Sequence, residues 1–398
     1  MSGSTLNRHG TGNGRIATPG LRGRQTGLTL IELLIAMVLG LTLATGVIQI
    51  YVGNNTTERD REARLRMQEG GRFALNYLAQ EMRMAGYLGC IGSIMGETVN
   101  NTLDAPDATF QPGFSVQGWE AAGTDPGDIN NSVENVALVD TDTAEWTTSN
   151  ANFQIPDIEA VPNSDIIRVW GATGSAGTVT SITQGTPPTF DAQTAVGIQA
   201  DDFLIISDCE QADFVQACTV VDNAPATTST ITVGTTCNPG NVADAVISSQ
   251  TTITNLAEVI RLRGTMFYVG KRDDDATNTP SLFMRQLDDD TTIGAAQELV
   301  EGVESMQILY GVNIDQDVRN TVDAYVPADQ VPEWNEVISI RVSLLMISPE
   351  DGTVPAPQAY AFDGVTYDGT GGTSLPTDNR ARRVFVSTLS LRNRALGV

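Results

Sequence analysis

Leu28 to Val52 is a run of 25 residues with one charge, Glu32. Nothing else in the chain limits its fold so strongly. As a helix the run rises about 1.5 Å per residue, roughly 37 Å in all, enough to cross a bilayer with some tilt. Arg22 and Arg24 stand just before it. After it, Glu58, Asp60, Glu62 and Glu69 cancel Arg59, Arg61, Arg64 and Arg66. The positive-inside rule therefore predicts a cytoplasmic N-terminus, with the chain after about residue 55 outside. A cleaved secretory signal would have a shorter apolar core followed by a small-residue site such as A-x-A. No such site follows here.

Glu32 is the anomaly. A carboxylate in a membrane segment costs roughly 2.5–3.5 kcal/mol at the helix centre and less near an end. The plain reading gives it the positive end of the helix dipole, a stabilisation of about 0.3–1 kcal/mol. The sharper reading pairs it with a buried cation. A cut after Gly27 would create one, because Leu28 would then carry a free amine one helical turn away. In a helical assembly that amine could instead meet a neighbour's Glu32, neutralise both charges and fix the axial stagger.

The segment "GLTLIELLIA", beginning at Gly27, resembles the class III signal and N-terminal helix of type IV prepilins and pseudopilins. The resemblance implies that a prepilin peptidase cuts between Gly27 and Leu28 and N-methylates Leu28. It also implies that Glu32 serves methylation and subunit registry. Leu28 departs from the family's more usual Phe. "MQEGGRFALNYLAQEMRMAGYLGC" (Met67 to Cys90) is similar to PilW-type minor pilins, as are "QELVEGVESMQILYGVNID", "EVISIRVSLLMIS" and "RRVFVSTLSLRNR". Membership of that group implies a minor pilin that primes or caps pilus assembly, serving twitching motility, adhesion or DNA uptake. Implied partners are the prepilin peptidase, other minor pilins, the major pilin and a tip adhesin. The implied route runs from the inner membrane through the periplasm to the fibre tip.

Two rival readings have different predictions. A J-like minor pseudopilin of a type II secretion system would share the N-terminal physics, and neighbouring genes would separate the two. A membrane-anchored envelope enzyme is disfavoured by composition. His9 is the only histidine, and it sits in the basic stretch that cleavage would remove. Histidine triads and His-ligated metals drop out with it, and no nucleophile or cofactor motif is read.

Past the apolar run the helical pattern continues, and no proline occurs between Pro19 and Pro106. Asp60–Arg64 and Glu62–Arg66 are i,i+4 pairs. Leu75, Leu78, Met82 and Ala85, with Phe73 and Tyr77 beside them, form an amphipathic stripe. Gly70-Gly71 reads as a bend and Gly86 as a C-cap. One helix over Leu28 to Ala85 results.

The remainder reads as β-structure. Residues 338–346 alternate as a strand with one buried face. Further strands are predicted at 165–170, 202–207, 228–233, 258–270, 281–286, 305–310 and 383–391, with a charged hairpin tip, "KRDDDATNTP", after the fourth. Residues 100–160 and 350–381 read as long loops with short strands, and "WGATGSAG" (170–177) as a loop. The fold class is α+β, a long N-terminal helix on antiparallel sheet. The divisions are a removed leader (1–27), a transmembrane or filament-core helix (28–55), its amphipathic continuation (56–89) and a β-rich domain (90–398).

The net charge is -25, and removing the four leader arginines makes it 19 minus 48, or -29. Such a body repels phosphate backbones, so direct nucleic-acid binding is not expected. Four cysteines, Cys90, Cys209, Cys218 and Cys237, allow three disulfide connectivities. "TVVDNAPATTSTITVGTTC" reads as two short strands about a turn, which favours Cys218–Cys237 and leaves Cys90 with Cys209. Buried free thiols are the alternative. Asp315, Asp317 and Asp323 hint at a calcium loop, but Arg319 and Asn320 stand where an EF-hand wants Asp or Asn and then Gly. A solvated loop is the preferred reading.

Overall fold

The computed structural model describes residues 29–87, 99–104, 115–129, 137–141, 144–193, 197–250, 257–272, 279–287, 294–315 and 321–391. One helix, Leu30–Met84, runs for 55 residues. The chain divides into two units, one ending at Thr56 and one beginning at Thr57.

In the second unit, helix residues 57–84 bury one stripe: Ala63, Met67, Gly71, Ala74, Leu78, Ala79 and Met82. Steps of three and four residues keep these on one face. Leu78 and Met82 meet expectation, whereas Phe73 stays 52% exposed. Tyr77 packs edge-on to Phe267 at 6.2 Å, and its hydroxyl lies 3.2 Å from Met284 Sδ.

The expected bend at Gly70-Gly71 is absent, because the helix continues through both. The glycines serve close approach instead. A Cβ on Gly71 would come within 2.6–2.9 Å of the Phe385 ring, and one on Gly70 would lie 3.1 Å from Val300. The helix ends as expected. Gly86 has a φ of 70°, a left-handed value that suits glycine. Its N–H donates to the Trp170 carbonyl at 3.0 Å, which stitches the helix end to the sheet.

The larger sheet has twelve described strands, centred on Glu258–Lys271, which pairs with Ile166–Thr183, Pro280–Leu287 and Phe203–Ser207. A four-stranded antiparallel sheet follows in the order Ala324–Val326, Val303–Val312, Val337–Ile347, Arg382–Ser390. One apolar core joins the helix to both sheets. The α+β expectation holds in this form, and each predicted strand has an observed counterpart.

Three details differ. Residues 170–177 are strand, not loop, within Ile166–Thr183. Trp170 lies opposite Gly264, whose missing side chain leaves room for the indole ring. Val116–Ala121, a short strand in the region read as long loops with short strands, is buried along its whole length. Val337–Ile347 buries both faces except around Arg341 and Ser343: Ile340, Val342, Leu344 and Met346 join the main core, and Leu345 packs with Phe362, Val365 and Tyr367.

The predicted hairpin about Cys218–Cys237 is present. Thr219–Asp222 pairs antiparallel with Thr228–Thr232, and the disulfide closes it with a Cα–Cα distance of 4.9 Å. Cys209 is also disulfide-bonded. Cys90 lies outside the described residues.

Candidate functional site: the N-terminal helix

In the first unit the apolar side chains from Leu30 to Val52 are half to three-quarters exposed. An 18-residue window here has a mean hydropathy of 2.3 and is 0% buried. Among the described residues this is the one helix long and apolar enough to cross a membrane. An uncovered apolar surface of this length is stable only against lipid or against other apolar helices.

The segment hides its own polar groups. Thr42 Oγ1 donates to the Leu39 carbonyl at 2.9 Å, and Thr45 Oγ1 to the Leu41 carbonyl at 2.8 Å. Such back-bonding leaves neither threonine hydroxyl unsatisfied in a hydrocarbon setting. Farther along, the expected ion pairs Arg64–Asp60 and Arg66–Glu62 form at 2.8 and 2.7 Å. Both are exposed and contribute a few tenths of a kcal/mol each.

Glu32 closes a capping box. Thr29 N–H and Thr29 Oγ1 both donate to Glu32 Oε2, at 3.2 and 3.0 Å. In return Glu32 N–H donates to Thr29 Oγ1 at 3.3 Å. Thr29 is thus the N-cap and Glu32 the third helical residue, a reciprocal pairing that satisfies two otherwise unpartnered donors. The T-x-x-E spacing was visible in the sequence but masked by the attention Glu32 draws as a lone charge. Gly27 and Leu28 lie outside the described residues.

Of the weak calcium candidates, Asp323 Oδ2 accepts the backbone N–H groups of Ile314 at 2.7 Å and Asp315 at 3.2 Å. That is a loop-closing role. Asp317 lies outside the described residues, and among the described residues no group of three His, Cys, Asp or Glu side chains is placed to hold a metal.

Sequence reasoning missed a buried acid pair at the junction of the sheets. Asp165 accepts the Ala121 N–H at 3.0 Å and the Ile308 N–H at 2.7 Å, tying three strands together. Glu120 accepts the Thr124 hydroxyl at 3.1 Å and, more distantly, the Ala328 N–H at 3.4 Å. Burial pushes both carboxyls well above the ordinary range, and each is near the other. At Asp165 the two backbone bonds favour the anion and so oppose the larger effect of burial. Burial likewise raises the Tyr310 phenol beside them. No local motif announces this pair, because its partners come from distant strands.

Two family models match the chain. The prokaryotic N-terminal methylation motif covers residues 22–48, the segment that contains the capping box and most of the exposed helix. The family described as type IV pilus-assembly protein W covers residues 266–393, from the central strand of the larger sheet through the four-stranded sheet. No curated protein and no solved structure matches. The two matches lie on an exposed apolar helix and on the sheet that helix residues 57–84 pack against; together they span less than half of the chain, and they support a PilW-type pilin and point to a structural pilus component rather than an enzyme.

Proposed function

We propose that the chain is a minor pilin that primes or caps a type IV pilus near its tip. It supports pilus-dependent motility, adhesion or DNA uptake. The observation that carries this reading is the uncovered apolar helix with one carboxylate, Glu32, in its first turn. In the proposed pathway residues 1–27 are the leader, and the N-terminus is cytoplasmic while the helix spans the inner membrane. Prepilin peptidase cuts between Gly27 and Leu28 and N-methylates Leu28. The region 28–55 then moves from bilayer to filament core. Residues 56–89 continue the helix, and 90–398 form the domain outside the membrane. Neighbours are other minor pilins, the major pilin and a tip adhesin.

Glu32 has two successive roles in this scheme. Before cleavage its carboxylate is held by Thr29, which lowers the cost of placing it in an apolar segment. Cleavage puts a charged donor one residue before Thr29. A charge-assisted bond is roughly twice as strong as a neutral one, so the new amine, in the same or an adjacent chain, competes for the carboxylate. Gly27→Ser tests the cut: it is expected to leave a membrane-retained precursor of higher mass. Normal maturation of that variant would contradict the cleavage assignment.

A further inference from the structure

A cleft of about 600 Å³ opens on the larger sheet, and neither acid of the buried pair lines it. Its size falls in the range of small-ligand sites, roughly 300–1,000 Å³. One wall is a two-stranded flap in which Val139–Asp140 pairs with Glu159–Ala160. Val161 N–H ties the flap to the sheet by donating to the Val269 carbonyl at 2.8 Å. The other wall is the end of the hairpin Glu258–Lys271 and Pro280–Leu287.

The walls are oppositely charged. The flap presents Asp157 and Glu159, both exposed, and the hairpin presents Lys271 and Arg285, both half-buried. Among the described residues Asp157, Glu159 and Arg285 form no ion pair. Arg285 Nε instead donates to a neutral group, the Tyr268 hydroxyl, at 3.2 Å. Tyr268 itself is stacked on Phe283, with centroids 5.8 Å apart and planes at 21°, which fixes the position of that hydroxyl. Lys271 is the single lysine of the chain. Its amine is desolvated enough to lower its proton affinity.

Ligand classes can be compared on this geometry. A simple anion is repelled by a body of net charge -25. A simple cation is drawn to the whole surface and has no reason to choose this cleft. A neutral saccharide wants an open aromatic face, and Tyr268 and Phe283 are buried against each other. A ligand with both charges, separated by the width of the cleft, satisfies both walls. We propose that the cleft binds a short zwitterionic peptide segment, with its carboxylate toward Lys271 and Arg285 and its ammonium toward Asp157 and Glu159.

The lone lysine supplies the test. Reductive ¹³C-dimethylation of the full chain in detergent keeps the charge of Lys271 and gives one side-chain NMR signal, distinct from that of the terminal amine. The probes are tetraglycine, N-acetyl-tetraglycine and tetraglycine amide. Tetraglycine is expected to move the Lys271 signal saturably, and each capped peptide to bind about tenfold more weakly, as loss of one charge contact implies. Glu159→Gln, on an exposed two-residue strand, is expected to weaken tetraglycine about tenfold while leaving N-acetyl-tetraglycine unchanged. Arg285→Gln should weaken tetraglycine and spare the amide. No saturable shift overturns the proposal. So does equal binding of the acetylated peptide, which would mean an anion site only, or of the amide, which would mean general cation attraction. Unchanged tetraglycine affinity in Glu159→Gln would overturn it too.

Discussion

Gly70 and Gly71 are adjacent in one helix, yet alanine at the two positions is expected to act in opposite directions. Replacing glycine by alanine inside a helix gains about 1 kcal/mol from backbone entropy at either site. The surroundings then decide. At Gly70 the new methyl meets Val300 Cγ1 at 3.1 Å and Met346 Cε at 3.4 Å, the second being the end of a flexible side chain. A small shift absorbs that contact, so Gly70→Ala should be neutral or stabilising by up to about 1 kcal/mol. At Gly71 the methyl falls 2.6, 2.7 and 2.9 Å from three atoms of the Phe385 ring. A rigid ring paired in a sheet cannot yield cheaply, and overpacking of this kind costs about 1–3 kcal/mol. Helix propensity cancels between the variants, so their stability difference should be that same 1–3 kcal/mol, with Gly71→Ala the weaker. Urea denaturation of the full chain in detergent, followed by tryptophan fluorescence, measures it. Adding Phe385→Leu should restore part of the loss in Gly71→Ala. Equal stability of the two alanine variants would refute close approach and favour a hinge.

Glu120 has its carboxyl raised in the folded state above its unfolded value, so its contribution is fully present below about pH 4.5 and is lost as pH rises toward the folded value. Asp363, raised to about 6 first by burial and then by Asp125, acts with the same sign. Thermal stability should therefore fall from pH 5 to 8, and Glu120→Gln should flatten that slope by at most about 1.4 kcal/mol per pH unit. An unchanged slope would count against a protonated Glu120. Cys218→Ser with Cys237→Ser opens a loop of sequence separation 19 and should cost about 3 kcal/mol in denaturant unfolding; a cost near zero would show that the hairpin holds itself. Glu32→Gln keeps a side chain able to complete the capping box with Thr29 but removes the charge, whereas Glu32→Ala removes both. If registry is electrostatic, both variants should insert and be cut yet assemble poorly. Normal piliation of the glutamine variant would reduce Glu32 to a helix cap.

Most of the fold was legible because its signals are periodic. Strands such as Val337–Ile347 and Glu258–Lys271 alternate or run apolar long enough to stand out. Long-range contacts were not legible. Gly70-Gly71 looks like a hinge until Phe385, more than three hundred residues later, is seen on it. "WGATGSAG" looks like a loop until Gly264 is seen to make room for Trp170. Val116–Ala121 lacks apolar alternation, since it buries Gln117 and Glu120 among partners from other strands. Of the candidate sites, the apolar helix was plain from composition, and the capping box was available from spacing alone. The charged cleft was not, because its walls come from residues about 130 positions apart that only the folded sheet brings together.

In the proposed pathway the chain starts anew at Leu28 and carries its apolar helix into a filament. N-terminal mass spectrometry of the protein recovered from sheared surface filaments tests this most directly. The predicted result is a terminus at N-methylated Leu28. A terminus at Met1, with the arginine-bearing leader still attached, or absence of the protein from the filaments, would contradict it.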